Sequence, residues 1–150
     1  MKVFKLGQDE ERAFGFTHRV QILASDLAAF TTAGNAGTIT LLTIKSGEIV
    51  SDVAARLVTP FSAPADAANN STALQVGKTG TLNQLLASTE LNQNGSNIAV
   101  ATRPTTVPAG FTADTPVLAT ITPAAGKALS AQTVGEVNLF LAIRTLDRLV

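Results

Sequence analysis

Side chains that can move protons, attack a carbonyl or hold a metal are scarce in this chain. His18 is the sole histidine, and there is no cysteine. A metal centre needs several converging donors, most often imidazoles, so none is expected. In Phe16–Leu23 (FTHRVQIL) the alternation puts Phe16, His18, Val20 and Ile22 on one face. His18 then reads as a histidine at the core's edge or at an interface, and not as a base or ligand. No Gly-x-Ser-x-Gly elbow exists to raise a serine nucleophile. Val76-Gly77-Lys78-Thr79 echoes the end of a phosphate loop, but Thr72 stands where that loop needs its first glycine. The strand-then-long-helix context that would aim amides at a phosphate is also missing, so Gly77–Gly80 is read as a turn. Asp66, Glu90 and Asp114 lie in or near loops, too isolated for a calcium site. A glycosidase would need two acids across an aromatic-lined cleft, and the aromatics are seven Phe without Trp or Tyr. The expectation is a protein without catalytic residues, metal or cofactor.

Composition points the same way. The 150 residues suit one domain with one sizeable core. Charged residues make up 15% of the chain, against about 25% in ordinary domains. The formal net charge is zero, which favours association and gives no footprint for nucleic acid. The opening MKVFKLGQDEERAFGF has no apolar core of a secretion signal, which points to synthesis in the cytoplasm. The longest apolar run, Val137–Ile143, is strand-sized and far short of a membrane span.

The elements that would carry any surface are mostly strands. Ile39–Phe61 reads as a long β-hairpin turning at Lys45-Ser46-Gly47-Glu48, where Gly47 makes a reversal cheap. In its second arm Ile49, Val53, Ala55 and Leu57 share one face. Val50, Asp52, Ala54, Arg56 and Val58 share the other, and Pro60 ends the arm. Further strands are expected at Phe16–Leu23, Thr72–Val76, Ile98–Thr102, Val117–Thr122 and Glu136–Leu146, the last covered on both sides. Ser25 or Asp26 caps one helical turn that turns Leu27 and Phe30 inward. Thr81-Leu82-Asn83-Gln84 has the form of a capping box, and Leu82, Leu85 and Leu86 recur at helical spacing, so Leu82–Leu91 reads as a short helix. Asn92–Asn97 is a turn, and Pro104, Pro108, Gly110 and Pro116 mark an irregular crossing. Residues 1–15 are the most charged stretch, with scattered apolar positions, and read as an N-terminal arm or weak edge strand. The fold class is thus all-β: a jelly-roll-like antiparallel β-sandwich of about seven or eight strands over residues 16–150, with one short helix and an arm over 1–15.

Several segments in order then carry a resemblance. They are Ala24-Ser25-Asp26-Leu27, Ile39–Ile44, Ser46-Gly47-Glu48-Ile49-Val50, Leu57–Phe61, Leu74-Gln75-Val76-Gly77, a turn at Gly126 and a last strand after Gly135. Together, across Phe16–Thr145, the chain resembles small β-sandwich virion structural proteins of tailed bacteriophages. Leu91–Asn97, rich in Asn and Gln, departs from the pattern. The resemblance implies a capsid decoration, or cement, protein on the outside of the major capsid protein lattice, acting as a homotrimer and without catalysis. Its place would be the capsid surface of the virion. A head fibre base, a tail or connector component, or a carbohydrate-binding surface module are the alternatives. The residues agree with a bridging role. Between Leu57 and Thr102 only Asp66, Lys78 and Glu90 are charged, as on a surface covered by another subunit. Val3, Phe4, Leu6 and Phe14 are the candidate interface of an arm that docks on a neighbour, for instance by adding a strand to its sheet.

Overall fold

Alternating apolar residues at Val137, Leu139 and Leu141 build the strand around which the first sheet forms. In the computed structural model, which describes residues 1–92 and 109–145, nine strands make two antiparallel sheets. The strands are β1 (Lys2–Lys5), β2 (His18–Leu23), β3 (Gly37–Ile44), β4 (Glu48–Ser62), β5 (Ala73–Lys78), β6 (Thr81–Glu90), β7 (Ala109–Gly110), β8 (Thr115–Thr122) and β9 (Val134–Thr145). One helix, α1 (Gln8–Phe14), and two 3-10 turns at Ala24–Leu27 and Leu129–Ala131 complete the described elements. The first sheet runs β1-β2-β9-β4-β7 and the second β3-β8-β5-β6. Without β1, these are the two interleaved four-stranded sheets of a jelly roll, and the all-β sandwich expected from the sequence is what the chain forms.

The core lies between the sheets. Val20, Ile22, Val53, Ala55, Leu57, Val137, Leu139 and Leu141 face Leu41, Ile44, Leu74, Val76, Leu85, Leu86, Val117, Ala119 and Ile121, all buried. Leu27 and Leu129, each in a 3-10 turn, plug one end. The first of these turns is capped at Leu23, not at Ser25 or Asp26; Asp26 reaches back from inside the turn to accept the Leu23 N–H at 2.8 Å. Thr17 closes a flank: its Oγ1 donates to Leu141 O at 3.1 Å and accepts from Ile143 N at 2.9 Å.

Four further readings of the sequence need correction. The reversal at Gly47 is real, with φ 82°, but the strands it joins are not paired. β3 belongs to the second sheet and β4 to the first, so the tight turn is an arch between sheets and not a hairpin. In β4 it is Val50 that is buried and Ile49 only half-buried, because a bulge between Val50 and Asp52 shifts the alternation by one residue. Pro60 does not end β4. It falls in the irregular stretch between Thr59 and Ser62, where no registered pair to β9 is interrupted. Leu82–Leu91 is strand, not helix. Against β5 the register of β6 slips twice, and the slippage turns the consecutive Leu85 and Leu86 both inward. Leu82, the third leucine of that spacing, is exposed, so the three share no buried face.

Residues 1–15, read as an arm or weak edge strand, contain an edge strand of the chain's own first sheet, followed by α1: β1 pairs with β2 from Lys2↔Gln21 to Lys5↔His18. Acids in the first turn of α1 suit the helix dipole, and Glu10 Oε2 accepts the Gly7 N–H at 3.0 Å. The turn read at Asn92–Asn97 falls almost wholly outside the described residues, as do the strand at Ile98–Thr102, Pro104, Pro108 and Leu146. Pro116 lies inside β8, opposite Thr43.

At Gly135, φ is 151° and the ring of Phe61 lies where a Cβ would stand. Gly135→Ala should therefore cost about 3 kcal/mol through backbone strain and displacement of that buried ring. A lower urea midpoint with an unchanged slope is the expected result.

Candidate functional site: two unlike sheet faces and a loop end

Paired strands set the outer faces of the sandwich. On the first sheet one cross-strand row reads Phe4, Arg19, Phe140, Ala54, and the next Lys2, Gln21, Asn138, Arg56. Arg19 lies over the Phe4 ring, 4.6 Å from its centroid, and Phe16 packs against Phe140 at 5.7 Å. Glu136 Oε1 accepts from Gln21 Nε2 at 2.9 Å and from Asn138 Nδ2 at 3.3 Å. This face is charged and internally bonded.

The second sheet differs. β3 and β8 contain no charged residue, and the charges of β5 and β6, Lys78 and Glu90, stand at strand ends. Its outer face presents Thr38, Thr40, Thr43, Pro116 and Thr122, all exposed, with Leu118 and Gln75 half-buried. The sequence showed a charge-poor chain; the topology gathers the uncharged strands onto one face.

The two ends also differ. Short turns at residues 45–47, 79–80 and 111–114 close one end. There Asp114 accepts from Lys45 Nζ at 2.7 Å and from Ser46 N at 3.1 Å. The lysine hydrogen bond, then the backbone one, hold the Asp114 carboxyl below the usual carboxylate range. Long loops, including residues 24–36, 63–72 and 123–133, meet at the other end. Here Lys127 Nζ donates to Asp66 Oδ2 at 2.7 Å, and this bond is the main cause lowering the Asp66 pKa. A cavity of about 510 Å³ opens beside this pair, walled by Pro60, Asn69, Asn70, Asn92 and Val134 among others. Behind it Gln132 Nε2 donates to Asn69 Oδ1 at 3.0 Å and Thr72 Oγ1 at 2.9 Å. Asn92 Nδ2 donates to Phe61 O at 2.6 Å, while Asn92 Oδ1 and Gln132 Oε1 are buried without a partner among the described residues.

Of the candidate interface residues, Val3 is exposed, and Phe4 and Leu6 are half-buried. The Leu6 N–H donates to Thr17 O at 2.8 Å. Phe14 closes α1, and its side chain lies outside what the structure describes. Val3, Phe4 and Leu6 sit on one short edge strand or just past it, while Phe14 is a helix away. The segment is fastened largely by polar contacts: the Met1 ammonium with Asp26, Arg144 with Glu11, and Arg144 Nη2 to Gly15 O at 3.0 Å.

His18 lies at the edge of the core, with Nδ1 2.8 Å from Thr17 Oγ1. Burial first, and then the nearby Lys5 ammonium, lower its pKa. Among the described residues no three His, Asp or Glu side chains converge on a point that could hold a metal. No family model, curated protein or solved structure matches the chain. The arrangement is suited to recognition by surface: one uncharged face, one charged face, and a polar cavity at the loop end.

The folded chain favours neutral His18, so the unfolded chain takes up the proton first. Stability should fall as pH drops below the ordinary imidazole value of 6.5 towards the folded pKa. His18→Gln should flatten that loss between about pH 7 and pH 5 in urea midpoints taken across a pH series. The Asp66 and Asp114 contributions, present above the ordinary carboxyl value of 3.8, should be lost only in stronger acid.

Proposed function

We propose that this protein is a non-catalytic structural component of a bacteriophage virion, a decoration protein that binds the outside of the head lattice and braces it. The carrying observation is the segregation of charge: β3 and β8 present an uncharged, threonine-rich face, while Lys2, Arg19, Asp52, Arg56, Glu136 and Arg144 belong to the other sheet. A charge-free face loses little on desolvation and can lie against a large partner, while a charged one stays in water. A stiff sandwich pinned at its short-turn end then links neighbouring shell subunits. Shallow contacts repeated by symmetry, and by association of its own copies as trimers, add up through avidity. The jelly-roll order also serves viral capsid and lectin domains, a likeness of fold that supports the reading without carrying it.

Mixed with phage heads assembled without it, the purified chain should co-sediment with them. The exposed pair Thr38→Lys and Thr122→Lys should weaken that binding by about tenfold or more, the cost of desolvating unpaired charge. Arg56→Ser, on the opposite sheet, should leave it unchanged. Binding to tails and not to heads would favour a tail or connector role.

The cavity at the loop end favours a second reading, a carbohydrate-binding surface module. Asn69, Asn70 and Asn92 line it, and side-chain amides of this kind can both donate to and accept from sugar hydroxyls. A glycan array should then show binding that Asn92→Ala abolishes.

A further inference from the structure

The two sheets do not end together. β1 extends the first sheet one strand beyond β2. Val3 pairs with Val20, so both side chains project from the same side of that sheet. Val20 is 0% exposed but Val3 is 45% exposed, so nothing described lies across from β1. The second sheet ends on this side at β3. Its other end, β6, runs out beside β4, where Phe61 N–H donates to Leu91 O at 2.9 Å. Ile39 and Leu42 of β3 pack on the core yet remain only partly buried, as at an open margin. A slot one strand wide therefore runs along β3 beneath β1.

The sheet margins are not equally guarded. Exposed strand edges invite pairing, and proteins blunt them with charge, proline, bulges or short length. β1 has four residues, with Lys2 and Lys5 among them; β7 has two. β6 slips register twice and ends in Glu90. β3 has eight residues, Gly-Thr-Ile-Thr-Leu-Leu-Thr-Ile, with no charge, no proline and a single irregularity between Thr40 and Leu42. Its only strand partner is β8, and no other described residue bonds to its outward backbone groups.

We propose that this slot receives an extended segment of a partner protein, which adds to β3 as a fifth strand of the second sheet. The segment alternates apolar side chains, to cover Val3 and the margin at Ile39 and Leu42, and carries a carboxylate opposite Lys5. Lys5 pairs with His18, projects on the same side as Val3, and has no acidic partner among the described residues. Its ammonium is close enough to His18 to help lower that imidazole's pKa, against the opposite pull of Glu48 and Glu11, and no ion pair among the described residues engages it. A second copy fits poorly. Two β3 edges joined antiparallel would place both five-stranded sheets on one side, with β1 of each copy where β2 of the other stands. A β1 donated by another copy would set Lys2 and Lys5 against Lys5.

The probe is a blocked seven-residue peptide alternating valine and threonine with one glutamate among the valines, compared with the same peptide carrying lysine there. On the ¹⁵N-labelled full chain, the glutamate peptide should shift the amides of Gly37–Ile44 and Lys2–Lys5. It should bind about tenfold or more tightly than the lysine peptide, and Lys5→Glu should invert the preference. Thr40→Lys, a charge placed on the exposed strand, should weaken both. Unshifted β3 amides, or equal binding that Lys5→Glu leaves alone, would overturn the proposal. So would a wild-type dimer in sedimentation that Thr40→Lys dissolves, which would give the slot to a second copy. None of these results depends on whether the chain binds phage heads.

Discussion

The ladder between β4 and β9 is the constraint on which the sandwich depends. Val53, Ala55 and Leu57 pair there with Leu141, Leu139 and Val137, and these side chains form the inner surface of the first sheet. β2 attaches to the other edge of β9, and β1 to β2, so both N-terminal strands hang from the last described strand. At the far end of the ladder the Phe61 ring closes onto bare backbone at Gly135, and the register resumes with Ser62 opposite Val134. The ladder spans most of the chain, so neither half can bury its apolar face alone.

Interleaving divides the surface. Because consecutive strands alternate between sheets at most connections, uncharged stretches distant in sequence, such as Gly37–Ile44 and Thr115–Thr122, become neighbours. Charged β4 and β9 pair with each other on the opposite side. The division has a physical consequence: the uncharged side desolvates cheaply and the charged side remains hydrated. Stiffness has a local source as well, in the Asp114 clasp that ties the arch after β3 to the arch before β8.

Much of this was legible in the residues. The alternation of β2 and β9, the turn at Asp26 and the glycine reversal at residue 47 are local signals, and each is found where local chemistry puts it. What was not legible was nonlocal. Nothing in Lys45-Ser46-Gly47-Glu48 distinguishes a hairpin turn from an arch between sheets, because the difference lies in which distant strand each arm meets. That Leu85 and Leu86 both face inward from a strand depends on the slips between β5 and β6, a property of the pair. Ile49 and Val50 exchanged places for the same kind of reason. The charge-poor composition was visible; its collection onto one sheet needed the strand order. Val3 could be named as apolar and out of place, but the empty space beneath it becomes visible only once Val20, its partner, is known to be buried.

The position of β9 also governs how the molecule is made. Residues 18–23 are translated more than a hundred residues before their central neighbour, Val134–Thr145. At elongation rates of about 5–20 residues per second, the nascent chain carries Val20 and Ile22 without their partner for several seconds. Only the pairs β1–β2 and β5–β6 unite consecutive strands within one sheet, so little durable structure can accumulate before β9 appears. Folding is then a collective event with many contacts between distant residues, and newborn copies remain exposed to chaperone capture and to one another until β9 arrives.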